Sequence, residues 1–383
     1  MGLVKIMDQL DDFACITLIL FTLAIVIQLT YYLLVYLRVV LWKENSKTPQ
    51  TNEMSPVSVI ICARNEEANL ALNLTSVLEQ DYPAFEVIVV NDCSEDNTEQ
   101  VLAEFKQKYP HLRSTAIKKN GTFRNNKKFA ATLGIKTAQY EWLLFTDADC
   151  QPDSSRWIAS MSRWFMDGKD IVLGYGSYPV QKSYLNKWIR YDTCFFTMQY
   201  FGFAQMGKAY RGVGCNLAYR KSLFFEHKGF AEHAHILSGD DSLFVNQAAT
   251  ERNVAVTYIH EAQTRTISNM SFKEWIWQKR RHITTGKFYK NSQILWLTLE
   301  PFSRVLMWVS FVVLMIFCPF WQYILIVFMM RMVILMSVMG VAVKRFNEPG
   351  ILLHAISFDL MMPFVYLYML LLNMISSKQN KWN

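Results

Sequence analysis

Residues 13–42, from Phe13 to Trp42, form an apolar run interrupted only by Gln28, Arg38 and a few hydroxyls. Its length exceeds the roughly 20 residues that carry a helix across a hydrocarbon core. Three more apolar stretches follow near the other end, at about 302–320, 322–343 and 350–376. Pro319 divides the first pair, and Lys344-Arg345 with Pro349-Gly350 divide the second. A chain with membrane-length segments at both ends must keep its polar middle beside a bilayer. The first run reads as a retained anchor and not a cleaved signal, because Asp8, Asp11 and Asp12 precede it and no Ala-x-Ala follows.

Basic residues set the expected orientation. Arg38, Lys43 and Lys47 flank the first anchor on its C-terminal side, which places the polar middle in the cytoplasm. With three later spans, Lys344-Arg345 also falls inside, but Lys378 and Lys381 fall outside. A re-entrant or interfacial final helix would remove that conflict. Arg331, inside the middle span, is costly in lipid and should face protein or snorkel.

The net charge of +7 suits lipid or a phosphate-bearing ligand; no basic tract resembles a nucleic-acid arm. Seven cysteines, without a CxxC pair or ligand-like spacing to the histidines, argue against a disulfide framework and against zinc.

Between about 55 and 265 the pattern becomes that of an α/β domain. Val57–Ile61, Phe85–Val90 and Glu141–Phe145 are short apolar runs of the buried-strand type, each followed by a polar cluster and then by helical periodicity. Strands alternating with helices imply a mainly parallel sheet flanked by helices. Ligands bind at the carboxyl ends of such strands. Ala63–Glu66, Asn91-Asp92 and Asp147–Asp149 all fall there.

Asp147-Ala148-Asp149 places two carboxylates just after a strand, the oxygen set that Mg²⁺ or Mn²⁺ accepts together with substrate phosphates. Asp92 either receives a nucleoside or caps the following helix. Lys127 and Lys128 bring positive charge near the same rim, or form a solvated basic turn. In Gly239-Asp240-Asp241 two adjacent acids repel, which would raise one pKa toward that of a general base, unless the pair only caps a helix. Gln278, Arg281 and His282 share a predicted helix with Trp275 and Trp277, fit to grip a diphosphate or to meet lipid headgroups. Leu185, Trp188, Tyr191, Phe195 and Met198 recur at helical spacing, giving an amphipathic helix over 184–208 that lies on the bilayer or packs on the domain.

Together, Pro56–Glu67, Val89–Thr98, Lys127–Ala138, Asp147–Asp149, Gly214–Arg220, Gly239–Asp241 and Gln278–His282 resemble glycosyltransferase family 2, the inverting nucleotide-sugar transferases, in its membrane-integrated branch. The resemblance implies a GT-A-like fold with transmembrane helices at both ends. It divides the chain into an anchor (1–50), a cytoplasmic catalytic domain (51–265), interfacial helices bearing Gln-x-x-Arg (266–300) and a C-terminal membrane region of about three helices (301–383). By the same resemblance Ala63, Glu66, Asp92, Lys127, Asp147, Gln278 and Arg281 bind the nucleotide sugar. Asp149 binds the metal, and Gly214, Cys215, Asn216 and His282 face the acceptor. Asp241 is the general base, and Asp240 stands where Glu is commoner. The expected partners are a nucleotide-sugar donor and a membrane lipid or lipid-linked glycan acceptor, at the bacterial cytoplasmic membrane. His282 replaces the usual Trp and weakens the case for a processive polysaccharide synthase, the nearest rival. A non-catalytic nucleotide-binding scaffold is the rival from another class.

Overall fold

The computed structural model describes residues 12–42, 54–117, 127–166, 168–236, 238–267 and 270–375. Lys43, Lys47, Lys378 and Lys381, which entered the orientation argument, lie outside them.

The described residues form ten strands: β1 (Val57–Ala63), β2 (Phe85–Asp92), β3 (Leu112–Ile117), β4 (Trp142–Phe145), β5 (Cys150–Pro152), β6 (Ile171–Gly174), β7 (Gly176–Ser177), β8 (Leu217–Arg220), β9 (Val254–Thr257) and β10 (Thr264–Thr266). Seven of them form one sheet in the order β3-β2-β1-β4-β8-β6-β9, and β5-β10-β7 form a small second sheet. β1, β2, β3 and β4 are mutually parallel, as the alternation of strands and helices requires. β8 departs from the pattern and runs antiparallel to both β4 and β6. Its first residue, Leu217, therefore pairs with Phe145, the last residue of β4. This reversal carries the segment before β8, Gly214-Cys215-Asn216, to the same rim as the ends of β1, β2 and β4.

Strand alternation divides the core between the two sheet faces. On β1, Val57, Val59, Ile61 and Ala63 pack with Leu70, Leu74 and Trp157. Ile60 points the other way, into a core shared with the membrane-flanking helices. The Tyr184–Gln205 helix runs through that second core with Trp188, Tyr191, Phe195 and Met198 all buried. Of its two expected settings it adopts the packed one. Gly202 permits close contact with the first apolar helix, since a Cβ there would come within 2.6 Å of the Val35 carbonyl oxygen.

Among the described residues, four helices are long and apolar enough to cross a membrane: Asp12–Leu41, Asn291–Phe317, Trp321–Arg345 and Leu352–Ile375. The second begins at Asn291, well before the expected position, and contains Pro301. Residues 291–300 thus continue the apolar helix and are no separate interfacial element. Arg331 faces protein, as its cost in lipid demands. It forms two bonds to Asp359, at 2.6 and 2.9 Å, and donates to Gln28 Oε1 at 2.7 Å. Arg304 adds Glu300 and Asp359 to the group, so two cations meet two anions with all four apolar helices represented.

The loop after Arg345 docks onto the domain. Glu348, fully buried, accepts from Arg190 at 2.5 Å, Arg265 at 2.6 Å and Tyr175 at 2.8 Å. The last apolar helix then returns along the domain. Near its start His354 lies 3.2 Å from Lys187, and near its end Asn373 Oδ1 accepts from Arg280 at 2.8 Å.

Candidate active site

A cavity of about 220 Å³ opens where the rim of the large sheet meets the Tyr184–Gln205 and Phe272–Gly286 helices. Ten residues expected from the sequence line it: Lys127, Asp147, Asp149, Gly214, Cys215, Asp240, Asp241, Gln278, Arg281 and His282. They come from five separate stretches of chain. The parallel strand β4 delivers Asp147, the antiparallel β8 delivers Gly214, and a helix start delivers Asp240 and Asp241. Gly239, at φ 80°, makes the left-handed turn that opens this Asp240–Ala248 helix.

Lys127 Nζ links the acids. It stands 2.7 Å from Asp147 Oδ1 and 3.9 Å from Asp240 Oδ2. Burial acts to lower its pKa, but Asp147 and Asp240 outweigh burial and hold the ammonium well above its ordinary range. Burial, followed by repulsion from Asp241 and Asp147 and opposed by Lys127, raises Asp240. The repulsion expected within the Asp240-Asp241 pair thus appears at Asp240. Asp241 accepts from the Gly214 amide at 2.7 Å through Oδ2, and from the Ser242 amide at 2.6 Å through Oδ1. Oδ1 also lies 3.2 Å from the Ser242 hydroxyl, so Oδ2, with one amide donor, is the oxygen that keeps capacity for a substrate proton.

Asp147, Asp149 and Cys150 bring ligand-type atoms within 4.8 Å of one another. The donor set suits a hard divalent cation through its two carboxylates. Cys150 is the misfit: contact with Cys215 and burial push its thiol well above the usual range, so it stays protonated and donates to Asp149 Oδ1 at 3.4 Å. Burial and the Asp147 charge raise the Asp149 carboxyl to about 6. A bound cation reverses that logic and favours the ionised acid. The residues fit the metal.

Three expected nucleotide-side residues lie beside this cavity and not in its lining. Ala63 ends β1 and pairs with Asn91. Glu66, raised chiefly by burial, holds Asn69 at 2.5 Å and senses both Asp147 and Lys127. Asp92 is buried at the end of β2 with Oδ2 lacking a hydrogen-bond partner among the described residues, and burial raises its carboxyl. It caps no helix: Asp96 does that work for Thr98. Asn65 and Cys93, just beyond β1 and β2, both take positive φ near 55°. Asn216 alone turns away. It is fully buried, accepting from Trp157 Nε1 at 3.1 Å and donating to the Tyr175 and Ala262 carbonyls, so its amide serves the scaffold.

These features agree with the comparisons. Residues 58–227 match the model described as Glycosyl transferase family 2. This segment is similar to glycosyl transferase family 2. The "Probable glycosyltransferase YdaM" of Bacillus subtilis is 27% identical over 259 residues, covering 65% of this chain and 58% of the relative. The poly-beta-1,6-N-acetyl-D-glucosamine synthase of Staphylococcus epidermidis is 33% identical over 97 residues, 25% of this chain and 22% of the synthase. The chain therefore spans under two thirds of either relative's length. Its fold is similar to that of the Pyrobaculum calidifontis mannosyltransferase PcManGT, solved with GDP-Man and Mn²⁺. That likeness has a TM-score of 0.60 at 16% identity, over 91% of this chain and 98% of the other, and supports the GT-A-like fold.

The cavity also holds residues that the sequence did not single out: Arg211, Lys279, Tyr178 and, from the Tyr184–Gln205 helix, Phe196 and Tyr200. Arg211 had one available signal, its place three residues before Gly214. Lys279 gave none, because its partner Asp192, at 2.6 Å, is far away in the chain.

Proposed function

We propose that this glycosyltransferase moves a sugar, with inversion, from a nucleoside-diphosphate sugar to a hydroxyl of a membrane-associated acceptor. The supporting observation is that Asp149 and Asp241 line one cavity, with Lys127 between their neighbours Asp147, at 2.7 Å, and Asp240, at 3.9 Å. Asp149, with Asp147, would hold Mg²⁺ or Mn²⁺, and a cation there would neutralise the departing diphosphate. Asp92 and Glu66, at the strand ends, receive the nucleoside. Gln278 and Arg281 close over the diphosphate from the Phe272–Gly286 helix, and Lys127 adds a fixed positive charge. Asp241 takes the proton of the acceptor hydroxyl. As the new oxygen–carbon bond forms at the anomeric carbon, the bond to the diphosphate oxygen breaks and its electron pair leaves with the diphosphate. Attack opposite the leaving group inverts the centre.

The test uses full chain in lipid, a panel of nucleotide sugars, and mass spectrometry of the acceptor. Asp149→Asn should lose metal-dependent nucleotide binding. Asp241→Asn should bind the donor and fail to transfer. EDTA should stop turnover, and Mn²⁺ or Mg²⁺ should restore it. Undiminished turnover by Asp241→Asn would remove the base assignment.

A further inference from the structure

Four cationic side chains line the cavity: Lys127, Arg211, Lys279 and Arg281. Two of them already answer a carboxylate, Lys127 through Asp147 at 2.7 Å and Lys279 through Asp192 at 2.6 Å. Among the described residues no carboxylate forms an ion pair with Arg211 or Arg281, and the Nε of each is buried without a hydrogen-bond partner. Buried donors and charges of this kind are costly until something pairs with them. Arg281 has a proposed partner in the donor diphosphate. Arg211 does not.

Arg211 belongs to the other end of the cavity. It precedes by three residues the Gly214 amide that holds Asp241. The ionisable groups that influence it are Tyr289, Tyr210, Asp241 and Tyr200, whereas those around Asp149 are Asp147, Glu66 and Lys127. Arg211 therefore stands with the base, on the side from which the acceptor must approach. The wall there is the Tyr184–Gln205 helix, and Asp192 on it accepts from Tyr366 of the last apolar helix at 2.8 Å. A guanidinium presents a planar fork of donors matched to phosphate oxygens.

We infer that Arg211 is a specificity-determining residue, holding a phosphate group carried by the acceptor close to the hydroxyl that reacts. The inference rests on the glycosyl-transfer reading above, and it adds the chemical class of the acceptor.

The experiment measures binding to the full chain in neutral detergent, with dodecyl phosphate, dodecyl glucoside and inorganic phosphate as probes. UDP and GDP with Mn²⁺ serve as reporters of the donor end. Dodecyl phosphate should bind more tightly than dodecyl glucoside, and Arg211→Gln should weaken it about tenfold or more, one charge-assisted contact's worth. Nucleotide affinity should stay within about twofold in the same variant, because the two ends are separate. Inorganic phosphate binding as tightly as dodecyl phosphate, with the same dependence on Arg211, marks a soluble phosphorylated acceptor; binding of dodecyl phosphate alone marks a lipid. Equal affinity for dodecyl phosphate and dodecyl glucoside overturns the inference. So does equal loss of phosphate and nucleotide binding in Arg211→Gln, which would assign Arg211 to the donor. If neither UDP nor GDP binds the unmodified chain, the glycosyl-transfer reading fails, while the phosphate arm is still decided by Arg211→Gln. Should that variant not fold, dodecyl phosphate must protect Arg211 of the unmodified chain from phenylglyoxal; no protection also overturns it.

Discussion

The backbone amide of Gly214 donates to Asp241 Oδ2 across 2.7 Å, tying the loop before β8 to the acid at the start of the Asp240–Ala248 helix. A Cβ on residue 214 would lie 3.5 Å from Lys127 Nζ, 3.6 Å from Asp241 Oδ2 and 3.9 Å from Asp147 Oδ1. Those are ordinary contact distances, so Gly214→Ala should fold with an unchanged unfolding midpoint. The added methyl nonetheless occupies the point that these three charged groups face. Transfer should fall by between about tenfold and a hundredfold, the usual cost of displacing a reacting group by a fraction of an ångström or more. Steady-state kinetics beside a thermal melt checks this; a wild-type rate would show that no substrate atom passes that point.

His282 supplies a pH signature. Burial, then the charges of Arg211, Lys279, Arg281 and Lys127, hold its imidazole well below the ordinary value of 6.5. As pH falls below about 6.5 the unfolded chain takes up a proton that the folded chain refuses. The unfolded state then binds more protons, so stability is full above about 6.5 and declines as pH drops toward the depressed folded value. His282→Gln should flatten that decline. Denaturation curves collected between about pH 7 and 5 decide it, and parallel curves for the two proteins would show that His282 titrates normally.

Much of the cavity's rim was legible because its signals are local. Asp147 and Asp149 follow a buried apolar strand, and a parallel sheet leaves strand ends on one edge. Asp240 and Asp241 follow a glycine and open a helix. The direction of β8 was not legible, since Leu217–Arg220 has the same composition in either sense. Only that reversal explains why Gly214 and Cys215 reach the cavity while Asn216, one residue farther on, is buried beneath it. Lys279 and Glu348 were equally silent. Their meaning comes from partners supplied by the fold, such as Asp192 for Lys279 and the pair Arg190 and Arg265 for Glu348. The repulsion within Asp240-Asp241 could be expected, but its appearance at Asp240 depends on burial and on Asp147, which the fold supplies.

The buried group of Arg331, Arg304, Asp359 and Glu300 should behave as a unit. Removing one member leaves a charge without its partner, at a cost of roughly 3–5 kcal/mol. Asp359→Asn is therefore expected to lower the unfolding temperature sharply, because Arg331 loses both of its carboxylate bonds. Replacing the pair together, as Arg331→Met with Asp359→Leu, should recover much of the loss, since an apolar pair carries no desolvation debt. Thermal unfolding of Arg331→Met, Asp359→Leu and their double variant, beside Asp359→Asn, in one detergent checks this; a double variant as unstable as the sum of its singles would contradict it.

The last apolar helix should not cross the bilayer. From His354 to Asn373 it runs roughly 30 Å at the usual rise per residue, long enough to reach the far side. Yet His354 lies 3.2 Å from Lys187 and Asn373 accepts from Arg280 at 2.8 Å, so the Tyr184–Gln205 and Phe272–Gly286 helices hold its two ends. The two preceding helices behave differently. Gln293 bonds to Asn246 of the domain at the start, and Glu348 returns to it at the finish, so the turn between Phe317 and Trp321 lies at the remote end of a hairpin. Exposed Ile356, Leu360, Phe364, Leu367 and Leu371 give the last helix one apolar face for lipid, while Phe358, Asp359 and Met362 are buried against protein. A last helix that does not cross would remove the conflict that Lys378 and Lys381, outside the described residues, raised in the sequence. Single cysteines introduced as Gln100→Cys, Gln322→Cys and Ile375→Cys, probed with a membrane-impermeant thiol reagent in sealed vesicles and read peptide by peptide, test the arrangement. Ile375→Cys should be labelled from the same side as Gln100→Cys, and Gln322→Cys from the opposite side. Labelling of Ile375→Cys together with Gln322→Cys would make the last helix a true span.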